Sequence, residues 1–121
     1  MGAKSYKDLI VWQKAMDLVV ETYRLTEFLP KDELYNLTNL LRRAVVSVPS
    51  NIAEGNSRDS VKNYIYFLGI AQGSKSEVET LLDICVRLGY LAIEQIKTAS
   101  DLSDEIGKML NTMIKKIGIR D

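Results

Sequence analysis

The sequence predicts an all-α protein, an antiparallel up-down-up-down four-helix bundle whose second helix is kinked at a proline. Three observations predict it. Apolar residues recur at helical spacing in four long segments separated by short breaks. Only two prolines occur in 121 residues, too few for a loop-rich or all-β chain. An apolar fraction of 46% and a charged fraction of 26% are those of an ordinary globular protein with one hydrophobic core, so residues 1–121 form a single domain.

The first helix is expected over residues 8–28, with Asp8 placed to cap it. Leu9, Trp12, Met16, Val19, Val20 and Tyr23 share one face and are the expected core stripe. Val11, Leu18 and Leu25 are seven apart and fall almost opposite, at about 100° per residue. A helix with one buried face should be polar there. The second stripe therefore reads as a subunit contact, the alternative being scattered surface apolar residues.

Leu29-Pro30-Lys31-Asp32 is a short turn. Leu34, Leu37, Leu41, Ala44, Val45, Val48 and Ile52 then form one apolar face that stays in phase through Pro49. This predicts a single helix from about 32 to 55. A proline in a helix interior costs about 3 kcal/mol, so a compensating contact is expected, against the small residues Gly69 to Ser74. The alternative ends the helix near Ser47 and restarts it with Asn51-x-x-Glu54 as a capping box.

Gly55-Asn56-Ser57 reads as a helix stop, with Gly55 in a left-handed position. Asp59 or Ser60 starts a third helix, which spans about 59 to 88, with Tyr64, Phe67, Leu68, Ala71, Ser74, Val78, Leu81, Leu82, Cys85 and Leu88 on its apolar face. Gly69 and Gly73 each cost about 1 kcal/mol in a helix, which implies close approach by a neighbour. Leu88-Gly89-Tyr90 is another glycine stop. The fourth helix runs from about 93 to 117, with Ile96, Ala99, Ile106, Leu110, Met113, Ile114 and Ile117 inward and Gly118 ending it.

The chemistry is sparse. Without histidine there is no Ser-His or Cys-His arrangement and no Glu-x-x-His metal motif. Cys85 reads as a small core residue, and a single cysteine makes no internal disulfide. No phosphate-binding glycine loop occurs, since Gly69-x-x-x-Gly73 lacks the following Lys and Ser/Thr. Neither a catalytic residue, a metal site, a cofactor nor a small-molecule substrate is expected. A hydrolase would need Glu54 and Glu77 to converge in a pocket. Ser47, Asn51, Glu54, Ser74 and Glu77 read instead as a polar packing layer off the core face, which could be solvated, lie between subunits or line a channel.

Arg42, Arg43 and Arg58 are candidates for contact with nucleic acid or with another subunit. Sixteen basic and sixteen acidic residues leave no net charge, which opposes phosphate binding and leaves self-association unopposed. With no signal-like apolar run at the start and none long enough to span a bilayer, a cytoplasmic location and no membrane partner are expected.

Three ordered motifs carry a family resemblance: Asp8-Leu9-x-Val11-Trp12-Gln13-Lys14-Ala15-Met16-x-Leu18, Arg42-Arg43-Ala44-Val45-x-Ser47-Val48-Pro49-x-Asn51-Ile52-Ala53-Glu54-Gly55, and Tyr64-x-x-Phe67-Leu68-x-Ile70-Ala71-x-Gly73-Ser74-x-x-Glu77-x-Glu79. Together they resemble the four-helix bundle proteins encoded in intervening sequences of bacterial large-subunit (23S) ribosomal RNA genes. The resemblance runs from about Tyr6 to Ile117. It implies a cytoplasmic homopentamer without enzyme activity. It also implies likeness in fold to a basic pentameric accessory protein of diversity-generating retroelements, which binds nucleic acid and a reverse transcriptase. Two departures stand out: Leu40 replaces a position often Gln in the family, and the chain is neutral where those accessory proteins are basic. The expected function is a homo-oligomeric scaffold or interaction module. The alternative is an RNA- or DNA-binding accessory protein that presents arginines around the oligomer.

Overall fold

Among residues 3–120, which the computed structural model describes, four α-helices carry the chain: α1 (Ile10–Thr26), α2 (Asn39–Asn56), α3 (Val61–Arg87) and α4 (Lys97–Arg120). Each packs on two neighbours. α1 and α3 both lie between α2 and α4, so sequential helices are adjacent around the bundle. Cross-helix bonds fix the antiparallel sense. Ser47 meets Ser74 and Asn56 meets Tyr64 across α2 and α3, while Gln72 meets Asn111 and Glu79 meets Ser103 across α3 and α4.

Both stripes of α1 contact the core, but the deeper one is not the one the sequence suggests: Leu9, Trp12 and Val19 of the expected core stripe are only partly buried against it. Val11, Leu18 and Leu25, expected to be a subunit contact, are buried with Ala15 and Thr22 in the monomer core. Met16, Val20 and Tyr23, expected inside, are exposed. The physical reason is size. Ala15 and Thr22 are small and buried where α1 meets its neighbours, whereas Trp12 and Tyr23 are bulky and polar-tipped and fit the rim. Nor does Asp8 cap this helix. It lies in a short 3-10 turn, Tyr6–Asp8, capped by the Ser5 hydroxyl, and Leu9 precedes α1 in extended geometry without a side-chain cap.

From Lys31 the backbone is helical without interruption. A 3-10 turn (Lys31–Glu33) leads into one wide π turn (Leu34–Thr38) and then α2. The Glu33 carboxylate fastens this entry, accepting from the Leu37 amide at 3.5 Å, Asn36 Nδ2 at 3.0 Å and the Tyr90 hydroxyl at 3.0 Å. One helix therefore runs through Pro49, and no break occurs near Ser47. Pro49 is buried, but not against Gly69 to Ser74 as expected. It lines a groove with Tyr6, Trp12 and Met16 on the α1 side. Ser50 Oγ donates to the Val46 carbonyl and Asn51 Nδ2 to that of Ser47, both at 2.8 Å, adding bonds to carbonyls beside the missing donor.

The glycines also differ from expectation. Gly55 is helical, not left-handed. A Cβ there would lie 3.1 Å from Phe67 Cβ and 3.2 Å from the Tyr64 carbonyl oxygen, so Gly55 is what lets α2 and α3 meet closely near their turn. Gly69 and Gly73, expected at a close approach, have no atom within 4 Å of a Cβ position and are exposed. Gly73→Ala should therefore stabilise the free chain by about 0.5–1 kcal/mol through helix propensity alone. Gly55→Val should cost about 1–3 kcal/mol by forcing the two helices apart. Thermal melts of the two variants should shift in opposite directions.

Ser60 caps α3 by accepting from the Asn63 amide at 3.1 Å. Gly89, with φ of 80°, ends it in the left-handed turn expected, with Gly89 N bonded to Val86 O and Tyr90 N to Cys85 O. α4 starts four residues later than expected, since Leu91 and Ile96 are buried in the connecting turn. It also continues through Gly118. Ile96, Ala99, Ile106 and Leu110 are buried as expected, with Met113, Ile114 and Ile117 packed at the core's edge.

Candidate subunit interface

The outer stripe of α1 makes the most conspicuous surface. Trp12, Met16, Val19, Val20 and Tyr23 follow one another at helical spacing, and Val46 of α2 stands beside them. Met16 is 38% exposed, Val20 70%, Tyr23 38% and Val46 41%. Scattered exposed apolar residues are normal, whereas a continuous run of them marks a contact surface. Between α1 and α2 this face sinks into a groove of about 310 Å³ lined by Tyr6, Trp12, Met16, Val19, Val46 and Pro49.

The N-terminal segment closes one end of the groove. Asn56 holds the Ala3 backbone from both sides, accepting from its amide at 2.8 Å and donating to its carbonyl at 3.0 Å. The Tyr64 hydroxyl donates to the same Asn56 oxygen at 3.2 Å. Tyr6 then meets Trp12 edge to face at 5.2 Å between ring centres, favourable geometry for an aromatic pair.

The three arginines do not converge. Arg42 lies over the Tyr23 ring at 5.0 Å, donates from Nε to Thr26 Oγ1 at 3.1 Å and approaches Glu27 at 3.9 Å. Its charge is used between α1 and α2. Arg58 lies over the Phe67 ring at 4.9 Å and meets Glu54 at 3.5 Å. It is some four helical turns, roughly 20 Å, from Arg42. Arg43 is exposed and makes no salt bridge among the described residues.

The expected polar layer is split. Ser47 and Ser74 share a hydrogen bond at 2.8 Å, and Asn51 Nδ2 donates to Ser47 Oγ at 2.8 Å, tying α2 to α3 off the core. Glu77 lines a cleft with Arg43, Ser47 and Ser74. Glu54 leaves this group and accepts from Ser57 and Arg58 at the end of α2. Glu54 thus sits with Ser57 and Arg58 at the end of α2, while Glu77 lines the cleft beside Arg43, Ser47 and Ser74. Among the described residues no three of His, Cys, Asp and Glu gather at metal-binding spacing. Cys85 is buried in the core, and burial, with Glu33 nearby, pushes its thiol up, away from thiolate chemistry.

One polar cluster was not anticipated. The Glu79 carboxylate accepts from Lys75 Nζ and from Ser103 Oγ, the latter at 2.7 Å, bridging α3 and α4. Burial pushes this carboxyl up, but the bonds from Lys75 and Ser103 and the Lys75 charge together outweigh it and hold it below the usual glutamate range. A carboxyl depressed in the folded state contributes stability above its unfolded pKa, about 4.3, and loses it as pH falls through the lower folded value. The thermal midpoint should therefore fall below about pH 4.3, and Glu79→Gln should flatten that part of the profile. Melts from pH 3 to 7 compare the two chains. The signal in sequence was the i, i+4 spacing of Lys75 and Glu79. Ser103, on another helix, gave none.

No helix among the described residues is long and apolar enough to cross a membrane. A family model described as 23S rRNA-intervening sequence protein matches residues 7–112. A solved structure of a protein of unknown function, from the S23 ribosomal protein family of Bacteroides thetaiotaomicron VPI-5482, is similar with a TM-score of 0.81 and 28% identity, over 88% of this chain and 99% of that one. No curated protein matches. With the bundle matched along nearly its whole length, the chain belongs to the 23S rRNA-intervening sequence protein family.

Proposed function

We propose that this protein is a non-enzymatic interaction module that works as a homo-oligomer, and that the outer α1–α2 face joins its copies. The observation that carries this reading is the exposed apolar run Met16, Val20, Tyr23 and Val46, next to a groove with Trp12 at its wall. The chain's zero net charge leaves association unopposed by self-repulsion. Five copies are proposed on the family resemblance. Native mass spectrometry at micromolar concentration counts them: an assembly of five 13.7 kDa chains is expected, and a lone monomer contradicts the proposal.

Nucleic-acid binding has less support from the geometry. Two of the three arginines expected to serve it are engaged within the chain, Arg42 with Thr26 and Tyr23 and Arg58 with Glu54. The remaining one, Arg43, shares its cleft with the Glu77 carboxylate, which repels phosphate.

A further inference from the structure

We propose that Arg43 of one copy pairs with Glu77 of the next, as the charged lock beside the apolar α1–α2 contact. This inference rests on the self-association proposed above and specifies its chemistry.

Arg43 stands on the outer ridge of α2, between two concavities. On one side it lines a cleft of about 500 Å³ with Tyr23, Asn39 and Val46, which continues the apolar face. On the other it lines a cleft of about 310 Å³ with Leu40, Ser47, Ser74 and Glu77, between α2 and α3. Arg43 and Glu77 thus border one cleft with opposite charges. Both are exposed, yet no salt bridge joins them, and neither finds another charged partner among the described residues. Their neighbours behave differently: Arg42, Arg58, Lys75, Glu54 and Glu79 all have partners within the chain.

The cleft floor is already satisfied. Ser47 and Ser74 bond each other and Asn51 bonds Ser47, which leaves the two charges at the rim as the groups with capacity to spare. A chain that offers a cation on one patch and an anion on another is complementary to further copies of itself. It is not complementary to a polyanion, which Glu77 repels, or to a uniformly acidic or basic protein. In a closed ring each copy gives one patch to one neighbour and a different patch to the other. Arg43 adjoins the apolar face on the α1 side of the α2 ridge, and Glu77 belongs to α3 beyond it, so the two can serve successive neighbours. Rim charges of this kind fix register and reject wrong docking more than they add affinity.

Charge exchange tests the pairing. Arg43→Glu and Glu77→Arg are each made alone, mixed in equal amounts, and combined in one chain, with mass measured by sedimentation and folding by circular dichroism. Each single variant should keep its helicity but associate roughly 100-fold more weakly, since like charges then face each other at every contact. The doubly changed chain should recover association fully, since opposite charges meet again at every contact, and the mixture should recover most of it, since a ring of five made of two alternating kinds leaves one like-charged contact. Association undiminished in the single variants overturns the pairing while leaving the assembly itself standing. Recovery only when both changes share one chain also overturns it, since the pair then lies within a chain. A monomeric wild type removes the proposed assembly and the pairing together.

Discussion

Leu18→Glu is expected to abolish the cooperative thermal transition and most of the helical circular dichroism. Leu18 is fully buried at the centre of α1, between Ala15 and Thr22 on the stripe that faces the other helices. Truncation to alanine alone would remove about 2–5 kcal/mol. Glutamate adds the penalty of burying a carboxyl group with no partner in an apolar core, several kcal/mol more whether the group ionises or takes a proton. Domains of this size are stable by about 5–15 kcal/mol, so the substitution consumes most or all of the margin. Leu18→Ala is the graded control and should still melt cooperatively, at a midpoint lower by about 10 °C or more. If Leu18 instead belonged to a subunit contact, as α1 taken alone suggests, Leu18→Glu would yield a helical monomer.

Val20→Glu, two residues away, should do the opposite. Val20 is 70% exposed on the outer stripe, where a polar replacement changes the free chain by no more than about 0.5 kcal/mol. Glutamate is also the better helix former, by a few tenths of a kcal/mol. The melt of the free chain should be unchanged or slightly raised. In the assembly the same carboxylate would be taken out of water among Met16, Tyr23 and Val46 or their counterparts on the neighbour. Association should weaken by at least 100-fold. The contrast between two apolar residues two positions apart on one helix separates core from interface without reference to any other protein.

How far the sequence reaches is visible in these same residues. Local chemistry was legible. Gly89 ends α3 at the expected glycine stop, and Ser60, one of the two residues expected to start that helix, caps it, because a stop or a cap is decided within a few residues. The in-phase apolar face through Pro49 correctly implied one helix, since burial along its length outweighs a single missing donor. What depends on the opposing surface was not legible. Periodicity shows that α1 has two apolar stripes but not which one turns inward. The clue lay in the small Ala15 and Thr22 between Val11, Leu18 and Leu25. Gly55, expected in a turn, is a contact residue, and Gly69 and Gly73, expected at a contact, face open space in mid-helix, because only the neighbouring helix decides what a missing Cβ is for. Likewise Arg42 could not be seen to reach Thr26, sixteen residues earlier and one helix away.

The central claim is that the outer α1–α2 face, and not the Leu18 stripe, holds copies of this chain together. Sedimentation equilibrium at micromolar concentration, with Val20→Glu run beside the wild type, tests it most directly. A wild-type particle five times the 13.7 kDa chain mass is expected, and a Val20→Glu particle of single-chain mass with the same helicity. A wild type at single-chain mass, or a Val20→Glu variant that keeps the wild-type mass, would contradict it.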